Sequence, residues 1–177
     1  MPAAVDPVEC TPLPSLMLVS RFDALPEDEA RAVLERVCSS PRWAHRLVRA
    51  RPHRCRAALA AEADAALADL PEDEIDLALA GHPRIGERSE HASSQREQAG
   101  VASAGADVRT ALREGNRAYE ERFGHVYLVC ADGRSADELL AVLRMRLGND
   151  PATERRVLRE ELRRINRLRL ERLLEDA

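Results

Sequence analysis

The sequence contains no lysine, and aromatic residues make up only 3% of its 177 residues. Hydrophobic residues make up 45% of the chain, so its core must be built mainly from leucine, alanine and valine. Strands are enriched in aromatic and β-branched residues, whereas alanine and leucine favour helices. The composition therefore favours an α-helical fold.

The chain also lacks an excess of positive charge and any long apolar run. Its 27 basic and 31 acidic residues give a formal net charge of -4, which predicts no general attraction to nucleic acids or anionic membranes. No apolar run reaches the length of a membrane span. The N-terminal sequence MPAAVDPVECTPLP does not match a secretory signal. We therefore expect a soluble, cytoplasmic protein.

Cysteines are few, with four in the chain: Cys10, Cys38, Cys55 and Cys130. They form no CxxC pair, and no histidine lies at metal-ligand spacing from them. A chain so poor in cysteine does not suggest a disulfide framework. We expect reduced thiols and no bound metal.

Helical signals recur from Pro26 onward and predict one compact, all-α domain of about eight helices. The predicted helices cover residues 26–38, 40–51, 54–69, 71–80, 94–99, 105–122, 135–147 and 150–174, with Gly100 as an interruption after the fifth. Residues 125–130 are strand-like, but no second strand is available to pair with them, which predicts a buried extended connector. Residues 1–14 predict a loose tail ahead of the domain at 15–177.

Ionisable residues are concentrated in the segment HPRIGERSEHASSQREQAG at residues 82–100. His82 follows Gly81, which can adopt the left-handed conformation at a helix end, and precedes Pro83, which favours extended backbone at His82. The imidazole is then expected on a stiff corner. A histidine there could act as a general acid or base, or it could simply interact with the helix dipole.

Ser94, Glu97 and Gln98 follow with i, i+3, i+4 spacing, which places them on one face of a helix. A hydroxyl, a carboxylate and an amide facing a histidine form a plausible acid–base site. The spacing of Ser94 and Glu97 also fits a capping box with Ser94 as the N-cap. The residues alone leave both interpretations open.

The order of several motifs resembles that in the family of 2-oxo-4-hydroxy-4-carboxy-5-ureidoimidazoline (OHCU) decarboxylases. The resemblance runs from about Phe22 to Leu174. Its motifs are HPRIG at 82–86, SQREQAG at 94–100, YEERFG at 119–124, VCADGRSADELL at 129–140, RLGND at 146–150 and RRINRLRLERL at 163–173. The resemblance implies a single all-helical domain, usually assembled as a homodimer.

The resemblance also implies roles for individual residues. His82 and Glu97 match the catalytic residues of the family. The positions that match its substrate-binding residues are Pro83, Ser94, Gln98, Gly124, Val126 and Arg169. Arg164 competes with Arg169 in the alignment of the last helix. His125 and Tyr127 stand where the family usually has hydrophobic aromatic residues, which we interpret as variation in the pocket wall.

The implied reaction is the loss of CO2 from the small molecule OHCU to give (S)-allantoin during urate breakdown. The substrate carries an imine beside the carbon that loses CO2 and so supplies its own electron sink. We therefore expect no metal or organic cofactor.

Two other functions are compatible with parts of the sequence. One is a helical binding or regulatory module. The other is a metal-dependent hydrolase, for which the sequence lacks well-spaced metal ligands.

Overall fold

Ten helices make up most of the described part of the chain. The structure is a computed structural model and describes residues 14–86, 92–102 and 104–176. The helices are α1 (Pro14–Asp23), α2 (Glu27–Val37), α3 (Pro41–Arg49), α4 (Arg56–Ala68), α5 (Glu72–Ala80), α6 (Ala92–Glu97), α7 (Ala99–Ala102), α8 (Ala106–Phe123), α9 (Ala136–Arg146) and α10 (Pro151–Asp176). No strand occurs within these ranges, and the predicted all-α fold is confirmed.

The chain divides into two compact units, one running to Leu70 and resuming at Asn166, the other running from Pro71 to Ile165. The single domain over residues 15–177 stays a prediction. The expected tail at residues 1–14 lies outside the described residues, apart from Pro14 at the start of α1. Within the described ranges, no helix has both the length and the apolar composition needed to cross a membrane.

The first unit contains a buried tryptophan that joins α3 to α4. Ser40 caps α3 as predicted, because its Oγ accepts a hydrogen bond from the backbone N of Trp43 at 3.1 Å, and Pro41 follows at the first helical position. The indole Nε1 of Trp43 donates to the carbonyl oxygen of Ala63 in α4 at 2.9 Å. A buried polar N–H with a good partner adds no desolvation penalty to the packing of the ring.

In the second unit, α8 packs closely against α9. A Cβ added at Gly115 in α8 would lie only 2.6 Å from Cδ2 of Leu143 in α9. The segment after α8 adds Tyr127 and Val129 to the same hydrophobic core without forming a strand. The predicted buried extended connector is therefore confirmed.

A fully buried ion pair between Arg146 and Glu154 joins the end of α9 to the start of α10. Arg146 Nε lies 2.8 Å from Oε1 of Glu154, and Nη1 donates to the carbonyl oxygen of Leu128 at 2.7 Å. Glu154 also accepts from the hydroxyl of Tyr119 and from Nδ2 of Asn149. Burial raises the pKa of the Tyr119 hydroxyl, and its hydrogen bond to Glu154 raises it further, so the hydroxyl remains a donor.

Some expectations from the sequence do not match the structure. Helices α1 and α7 were not predicted. The N-terminal prolines suggested an irregular segment, whereas Pro14 occupies the first position of α1, where proline is well tolerated.

Cys55 is disulfide-bonded, so the expectation of reduced thiols was wrong for this residue. Spacing along the chain does not reveal which segments approach each other in space. Cys38 and Cys130 carry thiols.

We expect Glu154→Gln to lower the free energy of unfolding by about 3–5 kcal/mol, because it leaves the charge of Arg146 buried without its counter-charge. Glu160→Gln is the matched control. Glu160 pairs with Arg163 and Arg164 on a partly exposed face, where such pairs contribute about 0–1 kcal/mol. Urea denaturation measures both variants, and equal losses would contradict the prediction.

Candidate functional site

His82 lies in the turn after α5, where its own groups close the end of the helix. Its backbone N donates to the carbonyl oxygen of Leu79 at 2.9 Å, and its ring Nδ1 lies 2.9 Å from the carbonyl oxygen of Ala78. A carbonyl oxygen can only accept, so Nδ1 carries the proton, and in the neutral ring Nε2 holds the lone pair. The residue is buried, with 9% of its surface exposed.

These two hydrogen bonds explain why the left-handed conformation predicted for Gly81 was wrong. Gly81 has φ -79° and ψ 0°, in the right-handed region. A left-handed glycine lets the following backbone N–H groups satisfy the last carbonyl groups of a helix. Here His82 satisfies two of those carbonyl groups itself. The ring of Pro83 restricts the backbone that follows, so the predicted stiff corner is retained.

The loop after the histidine is held by side chains from later in the chain. Gln98 accepts from the backbone N of Gly86 at 2.9 Å through Oε1 and donates to the carbonyl oxygen of Arg84 at 3.4 Å through Nε2. Asn116 in α8 donates from Nδ2 to the carbonyl oxygen of Ile85 at 2.9 Å. Gly86 has φ +86°, a conformation that favours glycine. The loop is therefore fixed at three consecutive residues.

Gln98 and Asn116 relate differently to the sequence-based predictions. The family resemblance implies that Gln98 contacts substrate, whereas its contacts in the structure are with the loop. Asn116 was not predicted at all. A signal for it exists, since an asparagine inside a helix is disfavoured and Asn116 lies four residues after Leu112 and three before Tyr119, both of them buried. That spacing places its amide on the apolar face of α8.

Helix α6 carries Ser94 and Glu97. The helix begins at Ala92, so Ser94 lies inside it, and its carbonyl oxygen accepts from the backbone N of Gln98 at 3.0 Å. The capping box with Ser94 as N-cap therefore does not fit. Ser94 and Glu97 are buried, with exposed fractions of 2% and 7%.

Two carboxylates lie around the end of the extended segment. The backbone N of Cys130 donates to Oε2 of Glu161 at 2.8 Å. Burial raises the pKa of the Cys130 thiol, and the negative charges of Glu161 and Glu97 raise it further. The thiol is therefore protonated at neutral pH, and Glu97 lies within electrostatic reach of this segment.

A cavity of about 760 Å³ lies at the end of α5, and neither His82 nor Glu97 is among its lining residues. Leu79 and Ala80, the last residues of α5, line it together with Gly124 and Val126. The structure thus brings the predicted substrate-binding positions Gly124 and Val126 to the same cavity as the end of α5. His125 also lines it, and its ring lies edge-on to Tyr119 with the ring centroids 5.6 Å apart.

Ion pairs attach α5 to α10 along one side of this cavity. Arg155 donates from Nε to Glu72 at 2.5 Å and from Nη2 to Asp76 at 2.6 Å, and Arg159 donates to the other oxygen of Glu72 at 2.6 Å. The hydrogen bond from Arg159, together with the contacts from Arg155, holds the pKa of Glu72 below its usual value. These contacts fix the helix whose end carries His82.

The two candidate arginines of α10 have different surroundings. Arg169 belongs to the first unit, where it is buried and donates from Nη1 to the carbonyl oxygen of Val37 at 3.2 Å. Arg164 is exposed and pairs with Glu160 and Glu161, each at 3.2 Å. A substrate contact by either arginine stays a prediction, as does the pairing of Glu97 with the histidine.

Comparison with protein families shows which family the chain belongs to. The model of the OHCU decarboxylase family matches residues 23–171. The chain belongs to the OHCU decarboxylase family. Two curated relatives are a 2-oxo-4-hydroxy-4-carboxy-5-ureidoimidazoline decarboxylase from Amia calva, 36% identical over 81 residues, and the uric acid degradation bifunctional protein TTL from Arabidopsis thaliana, 31% identical over 107 residues.

These matches cover 46% and 56% of this chain, but only 46% and 33% of the two curated relatives. The matched part thus spans less than half the length of either relative. The matches to solved structures cover a larger share of this chain. An OHCU decarboxylase crystallised in the presence of (S)-allantoin superposes with a TM-score of 0.71 at 25% identity, covering 80% of this chain and 96% of that one. An (S)-allantoin synthase has the same fold, with a TM-score of 0.70 at 20% identity, covering 88% of this chain and 53% of that one.

Gly100 is the point where α7 touches the turn before α9. A Cβ added there would lie 2.2 Å from the carbonyl oxygen of Arg134. The prediction that Gly100 interrupts a helix was wrong, since it lies within α7 and the break falls at Gln98. The glycine is required by close approach between two segments rather than by a turn.

We expect Gly100→Ala to lower the free energy of unfolding by about 3 kcal/mol, at the upper end of overpacking effects, because the contacted atom belongs to the backbone. Gly105→Ala is the control. Nothing lies within 4 Å of a Cβ at Gly105, so only an N-cap preference of at most about 1 kcal/mol is lost. Thermal and urea unfolding of both variants test the difference, and similar values would refute the close contact.

Proposed function

We propose that this protein decarboxylates OHCU to (S)-allantoin in the breakdown of urate. The observation that carries the proposal is the family match over residues 23–171, combined with a buried His82 whose ring proton is fixed by a backbone carbonyl. The relatives named for OHCU decarboxylation and uric acid degradation support this function. They do not support the alternative of a binding or regulatory module.

The chemistry of the substrate defines what the protein must do. When the bond to CO2 breaks, its electron pair forms a C=C bond with the neighbouring carbon, and the electrons of the C=N bond move to nitrogen, which gains a proton. The hydroxyl group then loses its proton as a carbonyl forms, and the neighbouring carbon gains a proton and becomes the stereocentre. The reaction releases CO2 and consumes one proton overall.

His82 is suited to the proton transfers. In the neutral ring, Nε2 can accept the hydroxyl proton, and the resulting imidazolium can return a proton to carbon on one face. Because the carbonyl oxygen of Ala78 already fixes the tautomer, Glu97 is not needed for that purpose. We therefore assign Glu97 to the ureido N–H groups of the substrate.

The remaining predicted residues complete the proposed site. A bidentate arginine suits an anionic substrate, and Arg169 is the residue we assign to it. The residues we propose to hold the ring and its polar edges are Pro83, Ser94, Gln98, Gly124 and Val126. We further propose that the enzyme acts in the cytoplasm without a cofactor, and that it forms the homodimer that the family resemblance implies.

We expect His82→Ala to lower turnover about 10²- to 10⁴-fold, the usual contribution of a positioned acid–base group. His45→Ala is the matched control, since His45 lies on the exposed face of α3. The assay follows circular dichroism of (S)-allantoin from freshly generated OHCU, with and without a chelator. Near wild-type turnover in His82→Ala would remove this residue from the mechanism, and wild-type activity that is lost with chelator and restored by zinc would refute a cofactor-free reaction.

We expect Glu97→Gln to lower turnover at least tenfold while the melting temperature hardly changes, because the substitution removes a charge-assisted acceptor but keeps the shape of the side chain. Glu114→Gln, at an exposed position of α8, controls for the charge change. Steady-state kinetics and thermal unfolding of both variants provide the measurement. Unchanged turnover in Glu97→Gln would mean that the residue is structural.

A further inference from the structure

Three side chains hold the loop after His82, and they differ in burial. The hydrogen bond from Asn116 to the carbonyl oxygen of Ile85 is buried. The contacts of Gln98 are only partly buried or exposed, and Glu120 meets Arg84 in an exposed ion pair. Hydrogen bonds are stronger away from water, and exposed ion pairs are weak. Asn116 is therefore the firmest of the three attachments.

The side-chain amide of Asn116 is buried, and its one hydrogen bond within the described residues is the bond to Ile85. Its exposed fraction is 2%, and Oδ1 has no hydrogen-bond partner among the residues that the structure describes. The opposite amide orientation would place Oδ1 against the carbonyl oxygen of Ile85, so the bond itself decides the orientation. A buried amide with one unsatisfied atom costs stability. The residue is therefore poorly explained as a stabilising element of α8.

The bond to Ile85 determines where the imidazole lies. Upstream, His82 is tied to the carbonyl oxygens of Ala78 and Leu79. Downstream, the next buried hydrogen bond is the one that the carbonyl oxygen of Ile85 accepts from Asn116. Only Pro83 and one further residue separate these two fixed points, and the proline ring removes one backbone rotation. A shift of the Ile85 carbonyl is therefore transmitted directly to the corner.

Asn116 is itself fixed by the buried ion pair. Tyr119 lies three residues further along α8, on the same face, and its hydroxyl donates to Glu154. Glu154 is held in turn by Arg146. The amide that anchors the loop therefore projects from a part of α8 that cannot rotate without breaking a buried network.

We propose that Asn116 is a positioning residue, which holds the His82 corner in its reactive geometry through the carbonyl oxygen of Ile85. Its kinetic consequence rests on the proposed function of the site, whereas its effect on the histidine ring does not. Asn116 need not touch the substrate for this role. It acts on the rate by fixing the position of the group that moves the proton.

The test compares Asn116→Leu with Asn166→Leu. Asn166 is buried to a similar degree, with 3% exposed, and its amide atoms also have no partner among the described residues. In Asn116→Leu we expect kcat to fall about 10- to 100-fold, the scale of a small misplacement of a catalytic group, with KM changed less than about threefold. In Asn166→Leu we expect kcat within about twofold of wild type.

The second readout is the NMR titration of the His82 ring in the substrate-free protein. We expect the ring signals and their titration to shift in Asn116→Leu and to stay unchanged in Asn166→Leu. If the bulkier leucine prevents folding, Asn116→Ala removes the amide donor without adding volume and replaces Asn116→Leu in both measurements. Wild-type kcat and an unchanged His82 titration in the folded variant would overturn the proposal.

This design separates two failures. A wild-type protein that does not convert OHCU would refute the proposed function, while the His82 titration would still decide whether Asn116 positions the ring. Conversely, an active wild type with unaltered His82 signals in the Asn116 variant would leave the function intact and refute the positioning role.

Discussion

The buried ion pair between Arg146 and Glu154 is the interaction on which the second unit depends. Removing two charges from water is expensive, and the cost is recovered only when further hydrogen bonds satisfy both groups. The carbonyl oxygen of Leu128 and the hydroxyl of Tyr119 supply such bonds. Because these partners come from different segments, the pair sets the positions of α8, α9, α10 and the extended connector together. The cavity wall at Gly124 and Val126 lies between two of these partners in the sequence.

Most of the helices could be predicted because their signals are local. Ser40 and Ser135 cap their helices through their own side chains, and Asp150 accepts from the backbone N of Thr153 at 2.9 Å. Such caps need only a few neighbouring residues. The role of Gly100 could not be predicted in this way, because it depends on a backbone carbonyl 34 positions further along the chain.

The candidate site shows the same limit. The position of His82 at a helix end followed from its neighbours in the sequence, and the family resemblance directed attention to Gln98. The contact of Gln98 with the loop, and the bond from Asn116 to Ile85, depend on how α6 and α8 pack on that loop. In the sequence, the only sign of a role for Asn116 is that its position falls on the apolar face of α8, and that sign is weak. Tertiary contacts therefore supply the part of the site that spacing leaves open.

The hydrogen bond between the His82 ring and the carbonyl oxygen of Ala78 has one further consequence. Nδ1 is a donor both in the neutral ring and in the imidazolium, so the bond is compatible with either charge state. The ring can gain and lose a proton at its other nitrogen without turning, and little reorganisation accompanies each transfer. In the proposed reaction, the same edge of the imidazole would then be presented at the first and the last proton transfer. The handedness of the product would thus originate in the way one short helix is closed at its end.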